Sequence, residues 1–540
     1  MLTRTPARLT RVMAMAAVPL LLASCAATQS ATAAAAKPAA CTTRTSLGAV
    51  AGTADGDLCA YRGIPYAQSP TGANRFRPPK PVKPWKGTLA ATDGRRVCPQ
   101  ERDELSEDYP DKSKTYLNED CLRLNVWSPK PDGKRHPVIV FIHGGAARFG
   151  TANEPRYDGA KLAGHGDAVV VSINYRLGVF GWSELGGLDP SYRGSGNNGL
   201  RDQMTALTWV RDHIANFGGD PRDVTAMGES EGAFSISAML ATAHPERLFR
   251  RAILESGSGY LVHSPAYEKR IAAGFPAHSV AEMRRMSTAD LLKLQDKALQ
   301  AAPGVGAALY FGPYVDGKLV RHSVIDSVRR GNARGIDVLI GTNKDELNFF
   351  GQGSPQALDA VSKQADDFFP KELESRHAKI SAAYHRGRSA RDAGLAQFTD
   401  QGMRIPAIRL AEAQNRWRPT YLYQFNWSAP KGYGAVHTAE LPFVFGSLRF
   451  TGILGGDEAL KTDRARITRL SNQMVDAWTS FARTGDPSAR RLVSRPAWPS
   501  YRPAQRSTMI WDLHPRVAND PRGAERRLWN GYPFVAIDPR

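Results

Sequence analysis

The stretch from Val224 to Phe234, V-T-A-M-G-E-S-E-G-A-F, constrains the chain more than any other. Gly228, Ser230 and Gly232 form a G-x-S-x-G pattern directly after a short apolar run. A strand that ends and a helix that starts within a few residues leave no room for a Cβ on either side of the turn, and glycine answers that demand. In an α/β fold this is a nucleophile elbow, with Ser230 at the turn and unpaired helix N–H groups beside it. Three fixed positions recur often in 540 residues, so the pattern gains weight only from its context.

That context is a series of strands and helices. Pro137 to Ile142 (P-V-I-V-F-I) and Ala168 to Ile173 (A-V-V-V-S-I) are continuous apolar runs. They suit strands covered on both faces, as in the middle of a parallel sheet. Leu122 to Trp127 reads as a strand, and the N-terminal strands are expected as antiparallel additions. Asn198 to Asn216 reads as a helix, with Leu200, Met204, Leu207, Val210 and Ile214 on one face. Arg251 to Leu254, Ile336 to Ile340 and Pro419 to Asn426 are further strands, the last being the final clear one. Met474 to Thr484 is expected to be a helix, and the Pro- and Arg-rich tail after 487 to be coil. Strands alternating with helices predict a doubly wound, mostly parallel α/β sheet. Helices within 279–300 and 351–415 are candidates for pocket walls or a cap.

Residues 1–24 read as an export signal: Arg4, Arg8 and Arg11 precede an apolar run from Val12 to Ala23. The run is too short to span a bilayer as a helix. Its end, Leu22-Ala23-Ser24-Cys25, resembles a bacterial lipobox, which implies lipid on Cys25 and an envelope location. Residues 25–40 are mostly Ala, Thr, Ser, Lys and Pro, the composition of a tether. A single catalytic body from 41 to 540 follows. Four cysteines remain, and nearest-neighbour pairing gives Cys41–Cys59 and Cys98–Cys121 in an export setting that permits disulfides. No zinc-type spacing appears, so no metal is expected. Net charge is +19, or +16 without the leader arginines. The basic residues are scattered in pairs such as Arg250-Arg251, so a positive surface fits better than nucleic-acid binding.

A serine hydroxyl needs a base, and the base needs an orienting carboxylate. His437 sits in a glycine-containing turn, G-A-V-H-T-A-E, at 434–440. Asp345 and Glu346 both follow a strand and lie between Ser230 and His437, and residue chemistry alone does not choose between them. With Glu346 the order is Ser, Glu, His, the order of α/β-hydrolases. His143-Gly144-Gly145-Ala146 follows a buried strand upstream, where small residues let backbone N–H groups meet a developing oxyanion, with the N–H of Glu231 as a further donor.

The chain is similar to the type-B carboxylesterases from about residue 45 to 515. The matching segments are G-I-P-Y-A at 63–67, E-D-C-L-R-L-N-V at 119–126, H-G-G-A at 143–146 and N-Y-R-L-G at 174–178. They continue with G-L-R-D-Q at 199–203, F-G-G-D-P at 217–221, G-E-S-E-G-A at 228–233, G-T-N-K-D-E at 341–346 and F-A-R-T-G-D-P at 481–487. The resemblance implies an α/β-hydrolase fold with Ser230 as nucleophile, His437 as base and Glu346, not Asp345, as acid. It implies oxyanion N–H groups from Gly145, Ala146 and Glu231, and buried support from Glu229, Ser256 and Glu440. It also supports the Cys98–Cys121 bond.

Two positions and one loop depart from the family pattern. Residue 231 is Glu where Ala is usual; its carboxylate would disfavour a negative transition state or repel acidic substrates, or else pair with an Arg such as Arg148. Ala147 stands where an aromatic is common, which predicts a wider pocket there. The Cys98–Cys121 loop has no Trp, which argues against choline esters. Tyr310, Phe311 and Tyr314 are candidates for an acyl pocket. The expected activity is hydrolysis of small to medium, neutral or aromatic esters, with a small-molecule partner and no cofactor. The alternatives are a non-catalytic binding module, or an amidase or carbamate hydrolase using the same three residues.

Overall fold

In the computed structural model, residues 41–101, 116–274, 279–301, 310–368, 373–489 and 493–534 are described. The leader, Cys25 and the tether of 25–40 lie outside them, as does most of the loop closed by Cys98 and Cys121. The continuous apolar runs form the middle of an eleven-stranded sheet. From one edge the strands are Arg516–Asn519, Ser507–Trp511, Thr420–Phe425, Asp337–Asn343, Arg251–Glu255, Gly219–Glu229, His136–Ile142, Val169–Ile173, Arg123–Pro129, Leu58–Pro65 and Thr53–Asp55. Every pairing from Ser507–Trp511 through Val169–Ile173 is parallel. Arg123–Pro129, Leu58–Pro65 and Thr53–Asp55 at one edge and Arg516–Asn519 at the other join antiparallel, as expected of N-terminal additions, but Thr42–Thr45, Gly48–Ala51 and Thr88–Ala90 form a separate three-stranded sheet.

Strand alternation explains why the runs are apolar throughout. Val138, Val140 and Ile142 enter one core with Val169, Val171 and Ile173. Ile139 and Phe141 enter the other with Val170, Met227 and Ile253. Each side chain so buried contributes roughly 1.5–3 kcal/mol; Ser172, the polar residue in these runs, is buried with its hydroxyl donating to the Ala152 carbonyl at 3.0 Å. The elbow helix Glu231–Leu240 covers the first face through Phe234, Ile236 and Leu240. The long helix Gly456–Thr484 covers the second through Ile467, Met474, Trp478 and Phe481.

Both disulfides are formed as expected, Cys41–Cys59 and Cys98–Cys121. The region 279–300 carries helices Val280–Arg285 and Thr288–Ala301, the first closed by a Ser279/Glu282 capping box. The region 351–415 carries Pro355–Lys363, Glu374–His385, Ala390–Thr399 and Ile405–Gln414. Among the described residues no helix is long and apolar enough to cross a membrane.

Three expectations are corrected. The tail is not all coil: Ser507–Trp511 and Arg516–Asn519 extend the main sheet, and Gly523–Leu528 is a helix. Met509, Ile510 and Trp511 pair with Tyr423, Gln424 and Phe425, so burial of a short apolar run outweighs its Pro- and Arg-rich surroundings. The helix ending at Thr484 starts at Gly456, eighteen residues earlier than Met474, with a non-helical Asp463 inside it. The helix from Asn198 ends at His213, and Ile214–Phe217 tightens into a 3-10 turn.

Candidate active site

The elbow forms where the glycine pattern places it. Ser230 follows the strand Gly219–Glu229 with φ 54° and ψ −123° and precedes the helix Glu231–Leu240. Its N–H donates to the Glu255 carbonyl at 2.9 Å, which fixes the turn to the next strand. A Cβ on Gly232 would lie 1.9 Å from the Ile142 carbonyl oxygen, and one on Gly228 would lie 2.6 Å from the Gly232 carbonyl carbon. The two glycines are therefore demanded by close backbone approach on both sides of the serine.

The loop after Ile142 is folded just as tightly. Gly145 has φ 110°, Ala146 φ 50° and Ala147 φ 56°. A Cβ on Gly144 would stand 2.8 Å from the Ser230 Cβ, so this loop passes directly beside the serine. Arg148 and Phe149 donate their N–H groups to the Gly145 carbonyl at 2.9 and 3.0 Å. Among the described residues, the N–H groups of Gly145, Ala146 and Glu231 have no acceptor. Gly145 and Ala146 are half-buried and Glu231 is buried, and N–H donors left open on the segments flanking the serine suit an anionic or carbonyl oxygen. His143 shapes the loop: its Nδ1 lies 2.8 Å from the Gly144 carbonyl oxygen and its ring stacks on Tyr175. Burial pushes its pKa down to about 4, so the ring is neutral.

Asp345 and Glu346, adjacent in sequence, separate cleanly in space. Glu346 is fully buried, and its Oε2 lies 2.7 Å from His437 Nδ1. Its other oxygen accepts the Asn343 N–H at 2.7 Å. Asp345 instead accepts the Ala435 N–H at 3.0 Å, holding the turn that carries His437. The far ring nitrogen, Nε2, lies 3.2 Å from Oε1 of Glu229, the residue immediately before Ser230. The Ser230 hydroxyl has no hydrogen-bond partner among the described residues. Against burial, which favours the neutral ring, Glu229 and Glu346 together hold His437 above the ordinary imidazole range, up to about 9.

Behind the histidine lies a cluster of buried acids. Glu440 accepts from the Asn343 side chain, and Glu255 accepts from Trp478 Nε1 at 2.7 Å. Burial and mutual repulsion push Glu229 up to about 7, Glu440 up to about 8 and Glu255 well above its ordinary value. Ser256, with φ 50°, is completely buried at the end of the next strand. Sequence reading missed Glu255 and Asn343. A charged residue closing the apolar run R-A-I-L-E was the available signal for the first. It also missed Phe349 and Phe350, whose rings lie 6.0 and 5.7 Å from the His437 ring.

Glu231 is buried, and its partner is the Ser235 hydroxyl at 3.1 Å rather than Arg148. On a helix the i+4 side chain is the natural neighbour. Ala147 is fully buried and its carbonyl accepts from Gly178. The hydroxyls of Tyr310 and Tyr314 are held by the Ile271 carbonyl and Glu184, and Phe311 packs against Tyr310.

Comparison with known proteins agrees with this geometry. The carboxylesterase family matches residues 39–529. A para-nitrobenzyl esterase of Bacillus subtilis (strain 168) is 36% identical over 504 residues, covering 89% of this chain and 97% of its own length. A phenmedipham hydrolase of Pseudarthrobacter oxydans is 32% identical over 495 residues, covering 88% of this chain and 96% of its own. The solved structure of a thermophilic PNB esterase aligns with a TM-score of 0.80 at 36% identity, over 91% of this chain and 100% of that one.

Proposed function

The chain belongs to the carboxylesterase family, and on that premise we propose that Ser230, His437 and Glu346 carry its reaction through an acyl-enzyme. It is a serine-hydrolase-type carboxylesterase acting on small to medium esters. In the proposed cycle His437 takes the proton of Ser230 as the hydroxyl oxygen attacks the ester carbonyl carbon. The carbonyl oxygen becomes an oxyanion held by the N–H groups of Gly145, Ala146 and Glu231. The alcohol departs with the proton from His437, and water, activated by the same ring, releases the acid and frees Ser230. Glu346 keeps the Nδ1 proton in place, so that Nε2 is the accepting nitrogen. The ring leaves Glu229 for the Ser230 hydroxyl as substrate binds, since such contacts tighten only in the loaded site.

The observation that carries this reading is the buried Glu346–His437 contact at 2.7 Å, with the opposite ring nitrogen turned toward the elbow. Its test is a fluorophosphonate probe, which phosphonylates an activated serine with loss of fluoride. Stoichiometric labelling of the folded protein at Ser230 is expected; folded protein that resists the probe overturns the assignment. Matched ester and amide pairs test substrate class, with faster turnover of the ester expected and an amide preference counting against the ester-hydrolase reading. The helices in 279–300 and 351–415 are proposed as the walls of the ester pocket.

An envelope tether is the second part of the proposal. The lipobox-like Leu22-Ala23-Ser24-Cys25, followed by the small-residue stretch of 26–40, supports lipid attachment at Cys25. Cys25→Ser is expected to move the protein from the membrane fraction to the soluble one. Undiminished retention in membranes would remove the anchor from the reading.

A further inference from the structure

The proposed cycle uses the backbone N–H of Glu231 and gives its side chain no part. Yet this carboxyl is buried, 4% exposed, on the first residue of the elbow helix. Its surroundings can be named from every side. On its own helix, the Ser235 hydroxyl donates to Oε1 at 3.1 Å. From the end of the strand Val169–Ile173 comes Tyr175, whose hydroxyl donates to the His143 carbonyl at 2.9 Å and whose acidity the Glu231 charge weakens. From the segment after residue 309 comes Gly312: the point where its Cβ would begin is 3.7 Å from Glu231 Oε2 and 3.5 Å from His263 Nε2. His263 is itself buried against Glu268, Nδ1 to Oε2 3.3 Å. No lysine or arginine pairs with the Glu231 carboxyl among the described residues. Burial without a cation therefore raises its pKa, up to about 8, and the Ser235 bond opposes that rise only in part.

An acid at this place cannot be neutral to the reaction. Its own N–H is one of the three donors beside the serine, so a charge on its carboxyl stands within one residue of the negative oxygen that forms in acyl transfer. In a buried site that repulsion is weakly screened. We propose that the Glu231 carboxyl is a positioning group for the oxyanion hole that supports acyl transfer in its protonated form and weakens it when ionised, giving the enzyme an alkaline limit separate from its triad. The inference rests on the assignment of the residue 231 N–H to the oxyanion.

The test is kcat/KM of the full chain for a neutral short-chain ester between about pH 6 and pH 10. Wild type is expected to lose roughly tenfold or more through an alkaline limb. Glu231→Gln keeps the size of the side chain and cannot ionise; its profile is expected to lack that limb, so that above pH 9 it outpaces wild type roughly tenfold. Ser235→Ala removes the hydroxyl that favours the ionised form, so the limb is expected at higher pH. An alkaline limb that keeps its midpoint in both variants overturns the proposal. So does a loss of rate that is the same at every pH, the signature of a purely structural role. If Glu231→Gln fails to fold, Ser235→Ala decides alone: an unmoved midpoint overturns the proposal. Wild type that resists the fluorophosphonate probe at neutral pH would mark failure of the esterase mechanism instead.

Discussion

Ser230→Ala is expected to lower kcat by about 10⁴- to 10⁶-fold and to abolish fluorophosphonate labelling, while leaving the protein folded. The size of the loss follows from the neighbourhood. Ser256 follows the adjacent strand at the level of Ser230 and is completely buried, so it offers no route around the missing nucleophile. Ser256→Ala should accordingly retain labelling. The fold should survive because alanine inherits the same backbone. Ser230 holds φ 54°, a conformation that strains any residue with a Cβ by about 1–3 kcal/mol. The Ser230 N–H bond to Glu255 at 2.9 Å is unaffected by the side chain. Ser230→Gly releases that strain, so thermal unfolding should come at a higher temperature in the glycine variant than in the alanine variant, with both inactive. A Ser230→Ala protein that keeps wild-type turnover would place the chemistry elsewhere in the chain.

How much of this was legible in the sequence depended on how local each cause was. The elbow and the loop at 143–147 were readable because their glycines answer steric demands made within a few residues. The parallel strands were readable because a sheet covered on both faces favours apolar residues on both, with a hydrogen-bonded Ser172 as the exception in Val169–Ile173. The edge strand Ser507–Trp511 was not: five residues amid prolines and arginines become a strand only by pairing with Tyr423–Phe425, more than eighty positions earlier. The first half of the helix Gly456–Thr484 was hidden for a related reason. Its charged face reads as loop until Ile467 and Leu470 are seen packed on the second core. Glu231 stands out in the sequence, but nothing in the sequence sets its partner apart from a nearby cation; the turn of its own helix supplies Ser235 instead. Residue chemistry does not separate Asp345 from Glu346, because both follow the same strand. The family resemblance points to Glu346, and the register of the turn at 434–437 gives the physical reason, assigning one to the backbone and the other to the ring.

That assignment leads to the second large effect. Glu346→Gln is expected to lower kcat by about 10⁴-fold, and Asp345→Asn by less than about tenfold. Both oxygens of Glu346 act as acceptors: Oε2 faces His437 Nδ1 at 2.7 Å and Oε1 faces the Asn343 N–H at 2.7 Å. Glutamine has one oxygen for two donors. If that oxygen stays with Asn343, the amide NH₂ donates to Nδ1 and drives the ring proton to Nε2, the nitrogen that must accept from Ser230. If it turns to the ring, an NH₂ meets the Asn343 N–H in a fully buried site, and the contact that sets the Glu346 rotamer is lost. Asparagine at 345 has no such conflict, because the one oxygen it keeps can still accept the Ala435 N–H. The pH profile adds a sign that a merely structural loss would not produce. Glu346 is one of the groups that raise the His437 pKa, so its neutral replacement lowers that value and the acid limb of the residual activity should shift to lower pH. An acid limb that stays in place, or an Asp345→Asn variant that falls as far as Glu346→Gln, would mean that the ring takes its orientation from somewhere other than Glu346.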